Sequence, residues 1–131
     1  MNTTSFLLLR LGIGISMFGH GLVRLPKLAG FSKWIVTSFE KSLLPSAIVT
    51  PFSYALPILE FGIGTLLILG LLTKQALLAG SIVMLILLLG TTLLENWEAL
   101  PSQLIHLAFF AFLLQFISSN TWSLDYFLFK K

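Results

Sequence analysis

The chain has 131 residues, of which 56% are hydrophobic and only 10% charged, with a mean hydropathy of +0.97. A soluble domain carries about 25% charged residues, and a chain this short buries too small a share of its surface to hide so much apolar area from water. The net charge of +3 comes without a basic stripe interleaved with aromatics, which excludes a nucleic-acid surface, and the lack of cysteine excludes disulfides, iron–sulfur clusters and thiol relays.

Lipid is the solvent that suits this composition, because the polar residues gather between long apolar runs. The opening Met1-Asn2-Thr3-Thr4-Ser5 lacks a basic n-region, Arg10 interrupts the first apolar run, and no small-residue cleavage site follows. A removed signal peptide is therefore not expected. The first membrane span is predicted over about 5–23. In the connection that follows, Phe31, Trp34, Ile35, Phe39, Leu43 and Leu44 recur near helical spacing, with Lys33, Glu40 and Lys41 on other faces. That pattern predicts an amphipathic helix in the headgroup layer over about 31–44, stopped by Pro45.

The second span is predicted over about 51–72, with Thr50 as N-cap and Pro51 at the first helical position, where a missing N–H costs little. Thr73-Lys74 then leaves almost no loop before a third span over about 75–94, so the two form a tight antiparallel hairpin. Glu95 to Leu100 carries Trp97, an aromatic suited to the interface, and leads to a fourth span over about 102–117. The tail, 122–131, mixes aromatics with Asp125 and two lysines and reads as a second interfacial segment. The expected fold is all-α: a polytopic membrane four-helix bundle, one domain over 1–131, with an interfacial helix between spans 1 and 2 and both termini on the same side. Basic residues nearly balance across the two sides. The acidic Glu95–Glu98 loop favours an outer position, which puts the termini in the cytoplasm, with a bacterial inner membrane as the expected location.

Ionisable groups at bilayer depth cost roughly 2.5–3.5 kcal/mol or more and face the protein interior. At 1.5 Å rise per residue, His20 and His106 share one level about 6–8 Å inside the face that carries the first and third connections. Glu60 falls at roughly 13 Å, and Arg10 and Gln115 both near 20 Å. Arg10, His20, Glu60, His106 and Gln115 are the candidate ligand-binding or proton-relay residues. Glu60 and Arg10 have side chains long enough to bridge much of their separation, so a buried Glu60–Arg10 pair is one reading and Glu60 as proton carrier another; the two are compatible. The histidines could bond carbonyls or hydroxyls, ligate haem iron, or hold a quinone head group. Haem is disfavoured because no second histidine pair accompanies them, and a metal site because Glu60 sits too deep to close it. Pro57, three residues before Glu60, frees a backbone carbonyl where a cavity would tolerate it.

The order of short motifs resembles the DoxX family, which includes the DoxD-type small subunit of thiosulfate:quinone oxidoreductase. Span one matches in Leu8-Leu9-Arg10-Leu11-Gly12, then His20-Gly21 and a basic cluster with Lys27. Span two matches in Pro57-Ile58-Leu59-Glu60-Phe61-Gly62 and Leu69-Gly70-Leu71-Leu72-Thr73-Lys74, and the tail in Ser123-Leu124-Asp125. Where the family often has glycine and arginine before that last motif, this chain has Ser119-Asn120-Thr121-Trp122. The resemblance implies a four-helix membrane protein associated with quinone-linked redox complexes.

Two functional expectations follow. In the first, the chain is the membrane subunit of a quinone-linked oxidoreductase and binds a lipophilic ligand in the bundle. It has no intrinsic cofactor: His20 and His106 hold a quinone, Glu60 relays protons, Arg10 keeps Glu60 ionised, and a redox protein partner brings the electrons. The alternative is a non-enzymatic scaffold or assembly factor whose polar pairs only fix helix register. A homo-oligomer is compatible with either. A transporter is disfavoured by the lack of visible inverted repeats.

Overall fold

The computed structural model describes residues 1–130; Lys131, the last residue of the expected interfacial tail, lies outside the described residues. The described residues are helical, with six α-helices among them in the order α1 (Thr3–Arg24), α2 (Leu28–Ser38), α3 (Ser46–Leu69), α4 (Thr73–Leu93), α5 (Leu100–Gln115) and α6 (Leu124–Phe129). Single 3₁₀ turns at Leu25–Lys27 and Ile117–Ser119 join α1 to α2 and follow α5. Among the described residues, three stretches are long and apolar enough to cross a membrane: Thr3–Ser38, Ser46–Leu69 and Thr73–Leu93. The fourth long helix, α5, has 16 residues. It rises about 24 Å, less than the roughly 30 Å hydrocarbon thickness.

Sequence signals set most of the boundaries. Asn2 caps α1 by accepting from the Ser5 N–H at 2.7 Å. Pro26 sits in the 3₁₀ turn that redirects the chain into α2, which packs against α3. Ser53 gives its one proton to the Thr50 carbonyl (2.6 Å), so the buried Ser32 hydroxyl is the donor in the 2.6 Å Ser32–Ser53 bond that fixes α2 on α3. Two expectations change here. The surface helix ends at Ser38, not near 44, and the residues up to Leu44 form turns. The helix predicted to begin at Pro51 begins at Ser46, directly after Pro45, and contains both Pro51 and Pro57. Pro45 acts as a start signal because its carbonyl accepts the N–H groups of Ile48 and Val49.

The α3–α4 hairpin is tight, as expected, but its turn is Gly70-Leu71-Leu72 and Thr73 already belongs to α4. Gly70 (φ 68°) ends α3 in the left-handed conformation open to glycine, and the Leu71 N–H returns to the Leu66 carbonyl at 3.0 Å.

Packing is closest between α1 and α3. A Cβ on Gly21 would overlap the backbone of Phe61, and one on Gly64 the backbone of Phe18; Gly14 lies against Leu67 and Ile68. With no side chain at these points, the two helix backbones come into direct contact, which suits lipid, where packing rather than water drives association. The α4–α5 pair has a similar device, with Phe110 lying over Gly80. The core of Phe6, Ile13, Met17, Leu56, Ile63, Leu67, Leu77, Met84, Phe110 and Leu113 fills the middle. Leu8, Ile15, Ile58, Ile82, Leu85, Leu89 and Ile105 point outward, as they do on helices bathed in lipid.

Glycine substitutions test this interface. Gly64→Val should lower stability by about 1–3 kcal/mol or more, the cost of overpacking a close contact. Gly12→Ala, where an added Cβ meets nothing within 4 Å, should be neutral or gain up to about 1 kcal/mol from helix propensity. The temperature at which each detergent-solubilised variant leaves its monodisperse chromatographic peak measures the difference. Equal behaviour of the two would mean that the glycine contact does not hold the bundle.

Candidate functional site

The α1–α3 contacts define an antiparallel register: Gly14 opposite Leu67 and Ile68, Phe18 opposite Gly64, Gly21 opposite Phe61. Continued in both directions, it brings Glu60 level with Leu22, two residues from Arg24, and Arg10 level with the Gly70–Leu72 turn. Arg10 and Glu60 are thus separated by about 18 Å along the helix axis, and the expected Arg10–Glu60 pair does not form. Arg24 takes its place. Its Nη1 donates to both Glu60 oxygens at 2.9 and 2.8 Å, the one ion pair among the described residues. The Glu60 side chain is 3% exposed and that of Arg24 27%. Arg24 lies in the last turn of α1, where the helix dipole favours a cation, and its guanidinium sits 4.7 Å from the Phe31 ring centroid.

The two histidines do meet. Their ring centroids are 6.0 Å apart, edge to face. Each Nδ1 faces a carbonyl of its own helix, His20 that of Ser16 at 2.6 Å and His106 that of Ser102 at 2.7 Å. A carbonyl only accepts, so in both rings Nδ1 carries the proton. Nε2 of neutral His106 then accepts from the Ser16 hydroxyl at 2.8 Å, and both its ring nitrogens are engaged. His20 Nε2 has no protein partner among the described residues.

These groups line a cavity of about 530 Å³ at the end of the bundle away from the termini. Its walls come from all of α1 to α5: Met17, His20 and Arg24, then Phe31 and Trp34, then Phe52, Leu56 and Glu60, then Met84 and Thr91, and lastly Gln103 and His106. The volume falls within the range of small-molecule sites. Gln103 was not among the expected residues. Its Nε2 donates to Thr91 Oγ1 at 2.8 Å, while its Oε1 is buried without a partner among the described residues. Its sequence signal was its position three residues before His106, one turn away on the same face of α5.

Arg10 belongs to a different cluster, at the end that carries the termini. It is 2% exposed. Its Nη1 donates to Asn120 Oδ1 at 2.6 Å, and Asn120 in turn donates to Thr73 Oγ1 at 3.0 Å. Its guanidinium packs against Gly70, where a Cβ would come within 2.8 Å of Nη1. The tail closes this end. The Asp125 N–H donates to the Gly70 carbonyl at 2.9 Å, and its carboxylate accepts the N–H groups of Leu72 (2.6 Å) and Thr73 (2.8 Å). Asp125 therefore caps α4 from a distant part of the chain, an anion on free amides at a helix N-terminus. Its charge also acts on Arg10. Gln115, expected at the level of Arg10 and turned inward, is exposed and takes no part in either cluster.

Double substitutions separate the two arginines. Arg24→Met with Glu60→Met should show a coupling energy of about 1–3 kcal/mol in unfolding free energy, whereas Arg10→Met with Glu60→Met should add to within about 0.5 kcal/mol. Strong coupling of Arg10 to Glu60 would contradict the register. Asp125→Ala removes two charge-assisted bonds from the start of α4 and should cost about 2 kcal/mol, read in the same measurement. No change would mean that the tail does not hold the hairpin.

The DoxX family model matches residues 5–97, which takes in α1 to α4 with Arg10, His20, Arg24 and Glu60 and stops short of α5 and the tail. No curated protein and no solved structure matches the chain.

Proposed function

The chain belongs to the DoxX family and is a small integral membrane protein, and from that premise we propose that it is the membrane subunit of a quinone-linked oxidoreductase and holds a quinone in the cavity between α1 and α5. The observation that carries this reading is the meeting, in one cavity, of an apolar and aromatic wall with the Glu60–Arg24 pair and His20. An isoprenoid tail would lie along the apolar wall and in the surrounding lipid. The head group would reach Glu60 and His20. Reduction of a quinone takes two electrons and two protons. The electrons come from a redox partner protein, and Glu60 and His20 are the groups placed to exchange protons with the head group. The alternative role as a scaffold or assembly factor draws its support from the Arg10–Asn120–Thr73 cluster, which ties the ends of α1, α4 and the tail and needs no ligand.

Trp34 lines the cavity, whereas Trp97 and Trp122 do not. In the Trp97→Phe/Trp122→Phe variant, titration with a short-chain quinone should quench Trp34 fluorescence saturably. In native membranes Glu60→Gln should slow quinone reduction by about a hundredfold, the scale of a lost acid–base group. Unsaturable quenching together with unchanged quinone reduction would remove this function. Transient co-purification with an unrelated client, in place of a stable complex with a redox protein, would favour the scaffold.

A further inference from the structure

Lys74 and Lys130 line one open cavity of about 610 Å³ at the end of the bundle that carries the termini, between the first turn of α4 and the tail. Gln75 and Tyr126 share its lining, as do the apolar Leu72 and Phe129. The Lys130 ammonium lies 4.7 Å from the centroid of the Tyr126 ring, which holds it at the cavity wall. The carboxylate at this wall, Asp125, is already engaged. Its two oxygens accept the N–H groups of Leu72 and Thr73, and its charge acts on the buried Arg10. The one ion pair among the described residues is Arg24–Glu60, so neither lysine has a carboxylate partner among them. Lys74, Lys130 and Arg10 stand against a single Asp125, and the cavity is positive.

What adjoins these cations is apolar. The 21 residues of α4 rise about 32 Å, close to the roughly 30 Å hydrocarbon thickness, so its first turn, with Lys74, stands at headgroup level. From Lys74 the exposed Leu78, Ile82, Leu85 and Leu89 follow at helical spacing, within an arc of about 80° at 100° per residue. They form a continuous apolar stripe that leads from the cavity into the bilayer. A soluble anion would use the lysines and leave the stripe idle, whereas an amphiphile uses both.

We infer that this cavity binds an anionic phospholipid. The phosphate sits between Lys74 and Lys130, with Gln75 and Tyr126 placed to donate to its oxygens, and an acyl chain follows Leu78, Ile82 and Leu85 along α4. The inference is independent of the quinone-linked reading, whose cavity lies at the opposite end of the bundle. A lipid held in this way bridges the start of α4 and the tail, and by linkage stabilises the fold that binds it.

Native mass spectrometry of the full chain released from detergent micelles, with each lipid titrated, tests the site. Dioleoylphosphatidylglycerol should bind about thirtyfold more tightly than dioleoylphosphatidylcholine, the weight of two basic residues at about fivefold each. Lys74→Gln with Lys130→Gln should bring phosphatidylglycerol down to the level of phosphatidylcholine, and Lys74→Arg with Lys130→Arg should keep the preference. Lys27→Gln with Lys33→Gln removes the same charge at exposed positions outside the cavity and should also leave the preference in place. Glycerol 3-phosphate, the head group without chains, should not bind at the same concentrations. Equal binding of the two lipids, a preference that survives Lys74→Gln with Lys130→Gln, or one lost equally with Lys27→Gln and Lys33→Gln overturns the inference. So does glycerol 3-phosphate binding as tightly as the lipid. Displacement of phosphatidylglycerol by a hexaglutamate peptide overturns it too, and assigns the cavity to an acidic protein segment.

Discussion

Direct backbone contact between α1 and α3 is the constraint from which the other features follow. Gly21 and Gly64 bring the two helices together at Phe61 and Phe18, and no other residue type fits at either point without moving a backbone. An antiparallel pair held at two such points has one register. That register decides which ionisable groups can meet: it sets Glu60 beside Arg24 and Arg10 beside Gly70, and keeps the two arginines at opposite ends of α1. A slip of one turn, about 5.4 Å, would break the Arg24–Glu60 pair and drive the Arg10 guanidinium out of its place against Gly70. Packing and electrostatics are therefore mutually dependent, and each penalises the registers the other would tolerate.

The two ends of the bundle treat a buried arginine differently. At the terminal end, Arg10 is enclosed by Asn120, Thr73 and Gly70, and the tail folds over it as Asp125 caps α4. Arg10 is almost wholly enclosed and does not line the cavity that Asn120 and Asp125 border at this end, and the segment that covers it is fixed by backbone bonds at Gly70, Leu72 and Thr73. At the other end, Arg24 is partly exposed and lies beside a cavity into which all five of the larger helices contribute. One arginine completes a closed structural cluster, and the other fixes a carboxylate at the edge of an open space.

The overall architecture was legible because hydropathy and breaker residues act locally. The apolar runs, the tight second hairpin and the amphipathic character of the segment around Phe31 and Trp34 could all be read without knowing which helix touches which. Pro51 was misleading because a proline suits the first turn of a helix, and Ser46 to Thr50 gave no sign that α3 extended before it. The pairing of charges was not legible. Depth counted from span ends placed Arg10 near Glu60 because the end of α1 and the start of α3 were taken to lie at one level, whereas in the true register α3 starts at Ser46, about 18 Å past the end of α1 at Arg24. The glycines that fix the true register were visible, yet Gly12 and Gly62 look the same in sequence and face open space. Asp125 was read as part of an interfacial tail. Its role at the start of α4, 52 residues away in sequence, exists only once the tail has folded back.

The cavity end departs from the packing found elsewhere in the chain. Along the middle of the bundle, Phe6, Leu67, Leu77, Phe110 and Leu113 are almost fully enclosed, and such cores tolerate little empty space because each void forfeits contacts outright. Beside Glu60 a cavity opens between the helices even though α1 and α3 touch at Gly21 and Phe61, and Pro57 removes one backbone N–H from α3, which leaves a carbonyl without its usual helical donor. An ion pair in such a setting is weak support for stability, since well-packed apolar residues of similar volume hold a bundle together as well or better. Several departures meet at this end: an incompletely filled interior, a proline inside a helix, a buried carboxylate and a Gln103 oxygen without a partner among the described residues, whereas at the other end the only such atom is Arg10 Nε. Departures from consistent packing that concentrate in this way mark the part of a protein shaped by something other than folding.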